Sequence, residues 1–113
     1  MLPTDYRISY FSAAVEEQVL DLPDGLAARY VFLTRRLVSL GPDLGLPHTR
    51  ALGNGLFELR LRSAEGIARA FYCIGVGRQI VVLHCLVKKT PRTPVRDLRL
   101  AERRMKEIRR ANA

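Results

Sequence analysis

The side chains best suited to chemistry in this sequence are cations spaced along strand-like segments: Arg60 and Arg62, then Arg69, then Lys88 and Lys89. A guanidinium offers a planar fork of donors that matches two phosphate oxygens at once, and an ammonium adds a compact point charge. Phe57-Glu58-Leu59-Arg60-Leu61-Arg62 alternates strictly, so Phe57, Leu59 and Leu61 share one strand face and Glu58, Arg60 and Arg62 the other. An ordinary solvent-facing side of a half-buried strand is the competing reading for Arg60 and Arg62. Arg69 interrupts Ile67-Ala68-Arg69-Ala70-Phe71, where a strand covered on both faces wants an apolar residue, so a specific partner is expected for it. Lys88 and Lys89 stand where the aliphatic strand from Ile80 leaves the sheet, in the turn Val87-Lys88-Lys89-Thr90-Pro91-Arg92-Thr93-Pro94. Pro91 and Pro94 end the ladder there. An antiparallel meander would bring these cations to one sheet edge, where they could hold a polyanion.

Four further residues have weaker claims. Tyr72 reads as core with a hydroxyl in need of a polar neighbour. His84 lies inside Val82-Leu83-His84-Cys85-Leu86 and reads first as a satisfied core histidine, second as a proton carrier. His48 follows Pro47 in a loop without companion ligands, so no metal site is expected. Glu58 is expected to pair with a neighbouring arginine. No Walker loop, dinucleotide fingerprint, HExxH or GxSxG is present, no cofactor is implied, and Gly53-Asn54-Gly55 reads as a turn.

The elements that must position these groups follow from periodicity. Arg7 to Phe11 is a short strand, and Ser12 caps a short helix through Val15 and Val19. After Asp21-Leu22-Pro23-Asp24-Gly25, the stripe Leu26, Tyr30, Leu33, Leu37, Leu40 predicts an amphipathic helix that Gly41-Pro42 stops. Its Arg29, Arg35 and Arg36 read as a solvated face. A loop from Gly41 to Gly55 leads into the Phe57–Arg62 strand, a turn at Ser63 to Gly66, a strand from Ile67 to Ile74, a hairpin at Gly75-Val76-Gly77-Arg78 and a last strand from Gln79 to Val87. Thr93-Pro94 reads as a cap and first-turn pair for a closing helix with Val95, Leu98, Ala101, Met105 and Ile108 on its apolar stripe. The expected fold is α+β: a short N-terminal strand, two helices, a three-strand antiparallel meander and a C-terminal helix.

At 113 residues and 48% apolar composition, residues 1–113 are expected to form a single domain. The formal charge of +8 is concentrated: residues 86–113 hold ten Lys and Arg against three acids. Such a field favours phosphates or an acidic protein, although a merely solubilising basic tail would look similar. Cys73 and Cys85 have no ligand spacing and read as strand packing residues of a reduced, cytoplasmic protein. Met1 to Tyr10 lacks an apolar signal region, and no apolar run reaches membrane length, so a soluble protein without a membrane partner is expected.

Taken together, Leu52-Gly53-Asn54-Gly55-Leu56-Phe57-Glu58-Leu59-Arg60, Ala68-Arg69-Ala70-Phe71-Tyr72 and Val82-Leu83-His84-Cys85-Leu86-Val87-Lys88-Lys89-Thr90-Pro91-Arg92-Thr93-Pro94 resemble the phage-related HigB branch of the RelE/ParE toxin superfamily. The resemblance runs over nearly the whole chain. It implies a single RelE-like toxin domain of a type II toxin–antitoxin system. The implied activity is that of an mRNA-cleaving endoribonuclease, on or off the ribosome, neutralised by a cognate antitoxin, expected to be of the helix-turn-helix DNA-binding type. The implied chemistry is attack of a ribose 2′-hydroxyl on its own 3′-phosphate, with no metal. The family's site arginines fall on Arg60 and Arg69 and its lysines on Lys88 and Lys89. His84, Tyr72 and Glu58 are candidate proton carriers, and Arg62, Arg92, Arg96 and Arg103 would bind RNA. RelE members carry a lysine where this chain has Glu58. The alternative within the superfamily is a ParE-like, non-catalytic toxin that inhibits a protein such as a topoisomerase.

Overall fold

The computed structural model describes residues 4–90 and 92–112. Pro91, expected to help end the last strand, lies outside them, as do the first three residues of the N-terminal segment. The described chain runs β1 (Arg7–Tyr10), α1 (Ala13–Leu20), α2 (Asp24–Leu40), β2 (Thr49–Gly53), β3 (Leu56–Ser63), β4 (Gly66–Ile74), β5 (Gln79–Lys88) and α3 (Val95–Ala111). The class is α+β, as expected, but the sheet has five strands in the order β1-β5-β4-β3-β2, one more than the N-terminal strand and three-strand meander expected. The antiparallel meander is its centre. The N-terminal strand β1 pairs parallel with β5, which makes the sheet mixed.

The added strand, β2, falls inside the segment expected to be a loop. Gly53-Asn54-Gly55 closes a β2–β3 hairpin, with Asn54 at φ 56° and Gly55 at φ 84°, the left-handed values that Asn and Gly tolerate best. Thr49 anchors the start of β2: its buried hydroxyl accepts from the backbone N–H groups of Leu44 and Gly45, each at 2.9 Å.

The two sheet faces carry separate cores. Leu59 and Leu61 of β3, Ala68, Ala70 and Tyr72 of β4 and Ile80, Val82 and Cys85 of β5 pack with Val15 and Val19 of α1 and with Leu26, Tyr30, Leu33 and Leu37 of α2. Each fully buried aliphatic side chain there contributes roughly 1.5–3 kcal/mol. Leu40, expected on the same stripe, is instead exposed, because α2 ends there. On the opposite face, Leu56, Phe71, Cys73, Val81 and Leu83 pack against Ala101 and Met105 of α3. Val95, expected on the α3 stripe, is exposed in its first turn. The two cysteines are free and lie in different cores, and burial pushes the Cys73 thiol up to about 11 and that of Cys85 to about 12. They pack rather than react.

Helix starts depart from simple capping in two places. Ser12 caps α1 as expected, accepting from the Val15 N–H at 3.2 Å. Pro23 precedes α2 and offers no side-chain acceptor; Glu65 from the β3–β4 turn takes its place, accepting from the Gly25 N–H at 2.5 Å. Gly25 leaves that approach open, since a Cβ there would stand 2.6 Å from the same carboxylate oxygen. Pro94, not Thr93, occupies the cap position of α3. The Thr93 hydroxyl is committed elsewhere. Among the described residues, no helix is long and apolar enough to cross a membrane.

Candidate functional site

The α3 face of the sheet carries the cations, in rows set by strand register. Glu58, Phe71 and His84 form one row, Arg60, Arg69 and Leu86 the next, and Arg62, Ile67 and Lys88 the third. Period-2 alternation from Ile80 would send His84, Leu86 and Lys88 to the opposite face with Val82. A β-bulge prevents this: Phe71 pairs with His84 but Tyr72 with Val82, leaving Leu83 as the extra residue. Leu83 and His84 therefore both face α3, and Leu86 and Lys88 follow.

Buried among these cations is one carboxylate. Glu58 is 1% exposed; its Oε1 lies 3.6 Å from Arg69 Nε and 4.0 Å from Arg60 Nε, and its Oε2 accepts from the Thr93 hydroxyl at 2.6 Å. This is the arginine pairing expected of Glu58 and the specific partner expected of Arg69. Arg69, 2% exposed, also donates from one terminal nitrogen to the Ala68 carbonyl at 3.1 Å. Burial lowers its pKa, Glu58 opposes that shift, and Arg60 and Arg62 add to it. Lys88 is buried too, and its ammonium donates to the Arg92 carbonyl, which folds the chain back toward α3. Desolvation, then Arg69, lowers its pKa.

The first turn of α3 closes over one end of this cluster. His84 Nε2 meets Asp97 Oδ1 at 2.7 Å, and the ring stacks on Phe71 at a centroid separation of 6.3 Å. Both ends of the imidazole are thus inside the fold, and its buried Nδ1 has no hydrogen-bond partner among the described residues. Farther along α3, Arg104 donates to the Leu83 carbonyl at 2.7 Å and lies 5.0 Å above the Phe11 ring.

Beyond the reach of α3 the cations open into a cleft of about 380 Å³ lined by Arg29, Pro47, His48, Arg60, Leu61, Arg62 and Arg69. It exists because β2 begins only at Thr49, opposite Leu59, so the β3 edge past that point has no strand beside it. The His48 carbonyl accepts from the Arg60 N–H at 2.8 Å, which fixes the loop residue against that edge. Four arginines and a histidine line the cleft, and among the described residues no acid does. Such walls can take phosphate oxygens in paired hydrogen bonds and focus a positive potential on them.

The predicted site residues divide accordingly. Arg60, Arg62 and Arg69 come together in the cleft. Lys88 shares their face but is turned toward Arg92, whereas Lys89 is exposed one residue beyond the strand. His84 lies under α3 and does not line the cleft. Tyr72 is on the other face altogether, in the core against α1 and α2, with its hydroxyl donating to the Pro42 carbonyl at 2.5 Å and its pKa raised by burial. Tyr72, expected as a proton carrier, thus stands apart from the cleft, packed in the core. Arg92, Arg96 and Arg103 are exposed, the first before α3 and the others on it.

Two cleft residues were not expected there. Arg29 was read as a solvated helix face, and His48 only as a poor metal ligand; both reach the cleft through tertiary placement. Proline before the histidine and a following Thr-Arg gave no local sign of it. No group of three or more His, Cys, Asp or Glu able to hold a metal occurs among the described residues.

A comparison with curated proteins finds no match. The description "Phage derived protein Gp49-like (DUF891)" belongs to the family whose profile matches residues 17–106, a span from α1 into α3 that contains the whole cleft. The chain belongs to the phage-derived Gp49-like family.

Proposed function

We propose that this protein is the toxin of a type II toxin–antitoxin system and an mRNA-cleaving endoribonuclease of HigB and RelE type, working in the cytoplasm and silenced by a cognate antitoxin. The observation that carries the reading is the acid-free cleft of Arg29, His48, Arg60, Arg62 and Arg69 at the open β3 edge. Family membership and the sequence resemblance point the same way.

In this reading the scissile phosphate sits between Arg60 and Arg62, with Arg69 behind it. The 2′-oxygen forms a bond to phosphorus as the bond to the 5′-oxygen of the next nucleotide breaks; that oxygen takes a proton from solvent, leaving a 2′,3′-cyclic phosphate and a 5′-hydroxyl. The intramolecular nucleophile makes alignment the main requirement, and fixed guanidinium groups stabilise the added charge of the pentacoordinate phosphorus. Glu58 holds Arg69, and through Thr93 it also ties the approach to α3 against the sheet. His48 lines the cleft and takes the hydroxyl proton, whereas His84 is engaged with Asp97 and supports the wall. Lys88 adds positive potential from beneath, and Lys89, Arg92, Arg96 and Arg103 bind the RNA backbone outside the cleft.

The test is brief induction followed by primer extension on a defined mRNA, with DNA integrity followed in parallel. New mRNA ends that vanish in His48→Ala and in Arg60→Ala, with His84→Ala retaining the cuts, support the reading. DNA damage with intact mRNA would replace it with a topoisomerase-directed toxin.

A further inference from the structure

The outer face of α2 has no partner within the described fold, yet its composition is that of an interface. Val31 is 47% exposed, Phe32 49% and Leu40 67%, in a helix whose inner stripe is fully buried. With Ala28 they line a shallow groove of about 620 Å³, completed by Arg35, Arg36 and Ser39. The spacing from Ala28 to Val31 and Phe32, then to Arg35, Ser39 and Leu40, follows successive helical turns, so this is a second continuous stripe rather than scattered exposure.

The chemistry of the rim selects the occupant. Arg29 and Arg36 lie over the Phe32 ring at 5.2 and 5.7 Å, Arg35 flanks the groove, and among the described residues no carboxylate lines it, Asp5 lying in an adjoining hollow with Arg35 and Ser39. A second copy of the chain would set these guanidinium groups against their own equivalents on a protein of formal charge +8. Nucleic acid would satisfy the arginines, but Val31 and Leu40 offer aliphatic surface where base stacking needs rings. An apolar ridge with acidic flanks satisfies both the floor and the rim. From Ala28 to Leu40 the groove follows roughly 18 Å of helix, the length of a partner helix of about three turns.

We propose that the outer face of α2 is a docking groove for an acidic amphipathic helix of a protein partner. Leucine-like side chains of that helix cover Val31, Phe32 and Leu40, and its flanking carboxylates meet Arg35 and Arg36. Because Arg36 and Arg29 already lie along the Phe32 ring, the rim is partly ordered before the partner arrives. This proposal concerns the α2 groove and the ribonuclease reading the cleft at the β3 edge, and Arg29 borders both.

The probe is a designed helical peptide of about 16 residues with leucines on one face and glutamates flanking them, compared with the same peptide carrying lysines in place of the glutamates. Binding to the full chain is followed by calorimetry and by amide shifts on a uniformly labelled sample. The glutamate peptide is expected to shift the α2 resonances and to lose about tenfold or more in affinity on Phe32→Ser. Arg35→Glu with Arg36→Glu should transfer the preference to the lysine peptide. Arg99→Glu with Lys106→Glu, which removes charge from α3 alone, should change the affinity by less than about twofold. Circular dichroism checks that each variant is folded; if Phe32→Ser is not, the shift map and the charge-reversal pair decide. The proposal is overturned by equal binding of both peptides, by shifts confined to α3 or the cleft, or by concentration-dependent self-association that Phe32→Ser abolishes.

Discussion

At the scale of single residues, the cluster depends on one buried carboxylate serving several donors. Removing Arg69 leaves Glu58 in a dry site without its nearer cation, and removing Glu58 does the same to Arg69. Each single substitution to Met should cost about 3 kcal/mol or more, read from urea unfolding. Glu58→Met with Arg69→Met should cost clearly less than the two losses added together, because neither charge is then left behind. Strict additivity would mean that the pair is not coupled. Catalytic tests are consequently cleaner at Arg60 or Arg62, whose partial or full exposure separates function from folding.

Lys88 gives a prediction with a definite sign. Its pKa is lowered from 10.5 in the folded protein, chiefly by desolvation and then by Arg69, so the unfolded chain binds the proton more tightly. Stability should therefore be reduced below the folded pKa and rise with pH as the solution passes through it toward 10.5. Lys88→Met should remove that rise and increase the urea midpoint near neutral pH. An unchanged pH profile in this variant would show that Lys88 is not the source.

At the scale of elements, the bulge at Leu83 decides which face His84, Leu86 and Lys88 occupy. Deleting Leu83 removes the extra residue and makes Val82 and His84 consecutive, so the ladder regains plain alternation with His84, Leu86 and Lys88 still facing α3. The deletion should therefore still unfold cooperatively, and Leu83→Ala, which keeps the bulge but loses the same side chain from the α3 core, should cost about 2–5 kcal/mol and stay folded. A deletion variant that no longer unfolds cooperatively would contradict the assigned register. Thr93 offers a milder test at the other end of the turn. Thr93→Val keeps the shape but leaves a Glu58 oxygen without its donor, at about 1–3 kcal/mol, with faster amide exchange from Lys89 to Asp97 as the local signature.

These elements also show how far the sequence can be read. The α2 stripe, the Phe57–Arg62 alternation and the hairpin at Gly75 to Arg78 carry their own periodicity, so they are legible without tertiary knowledge. The strand Thr49–Gly53 is not, because its exposed Arg50 and Ala51 follow no pattern; it forms by pairing with β3. Parallel pairing of β1 with β5 is likewise a long-range choice invisible to local spacing. Convergence of Arg60 with Arg69 followed from the meander alone. The removal of Tyr72 from the site, the turning of His84 toward α3 and the arrival of Arg29 and His48 required the bulge, the helix positions and the late start of β2.

At the scale of the whole molecule, the positive charge has distinct settings: the cleft, the α3 surface and the α2 rim. On the proposed ribonuclease reading, the first two hold single-stranded RNA through phosphate contacts, which release counterions. With three or four phosphates held, the logarithm of the RNA dissociation constant should rise with the logarithm of salt at a slope of about 2–3, and Arg60→Ala with Arg62→Ala should lower that slope by about one or more. A slope near zero would exclude phosphate gripping as the basis of binding.

The most direct measurement is primer extension on a defined mRNA after brief induction of the parent protein and of Arg60→Ala with Arg62→Ala, both confirmed to melt cooperatively. New 5′ ends within the message should appear with the parent and disappear with the variant. Intact mRNA during parent-induced growth arrest, or identical cuts from the variant, would contradict a cleft that grips the scissile phosphate.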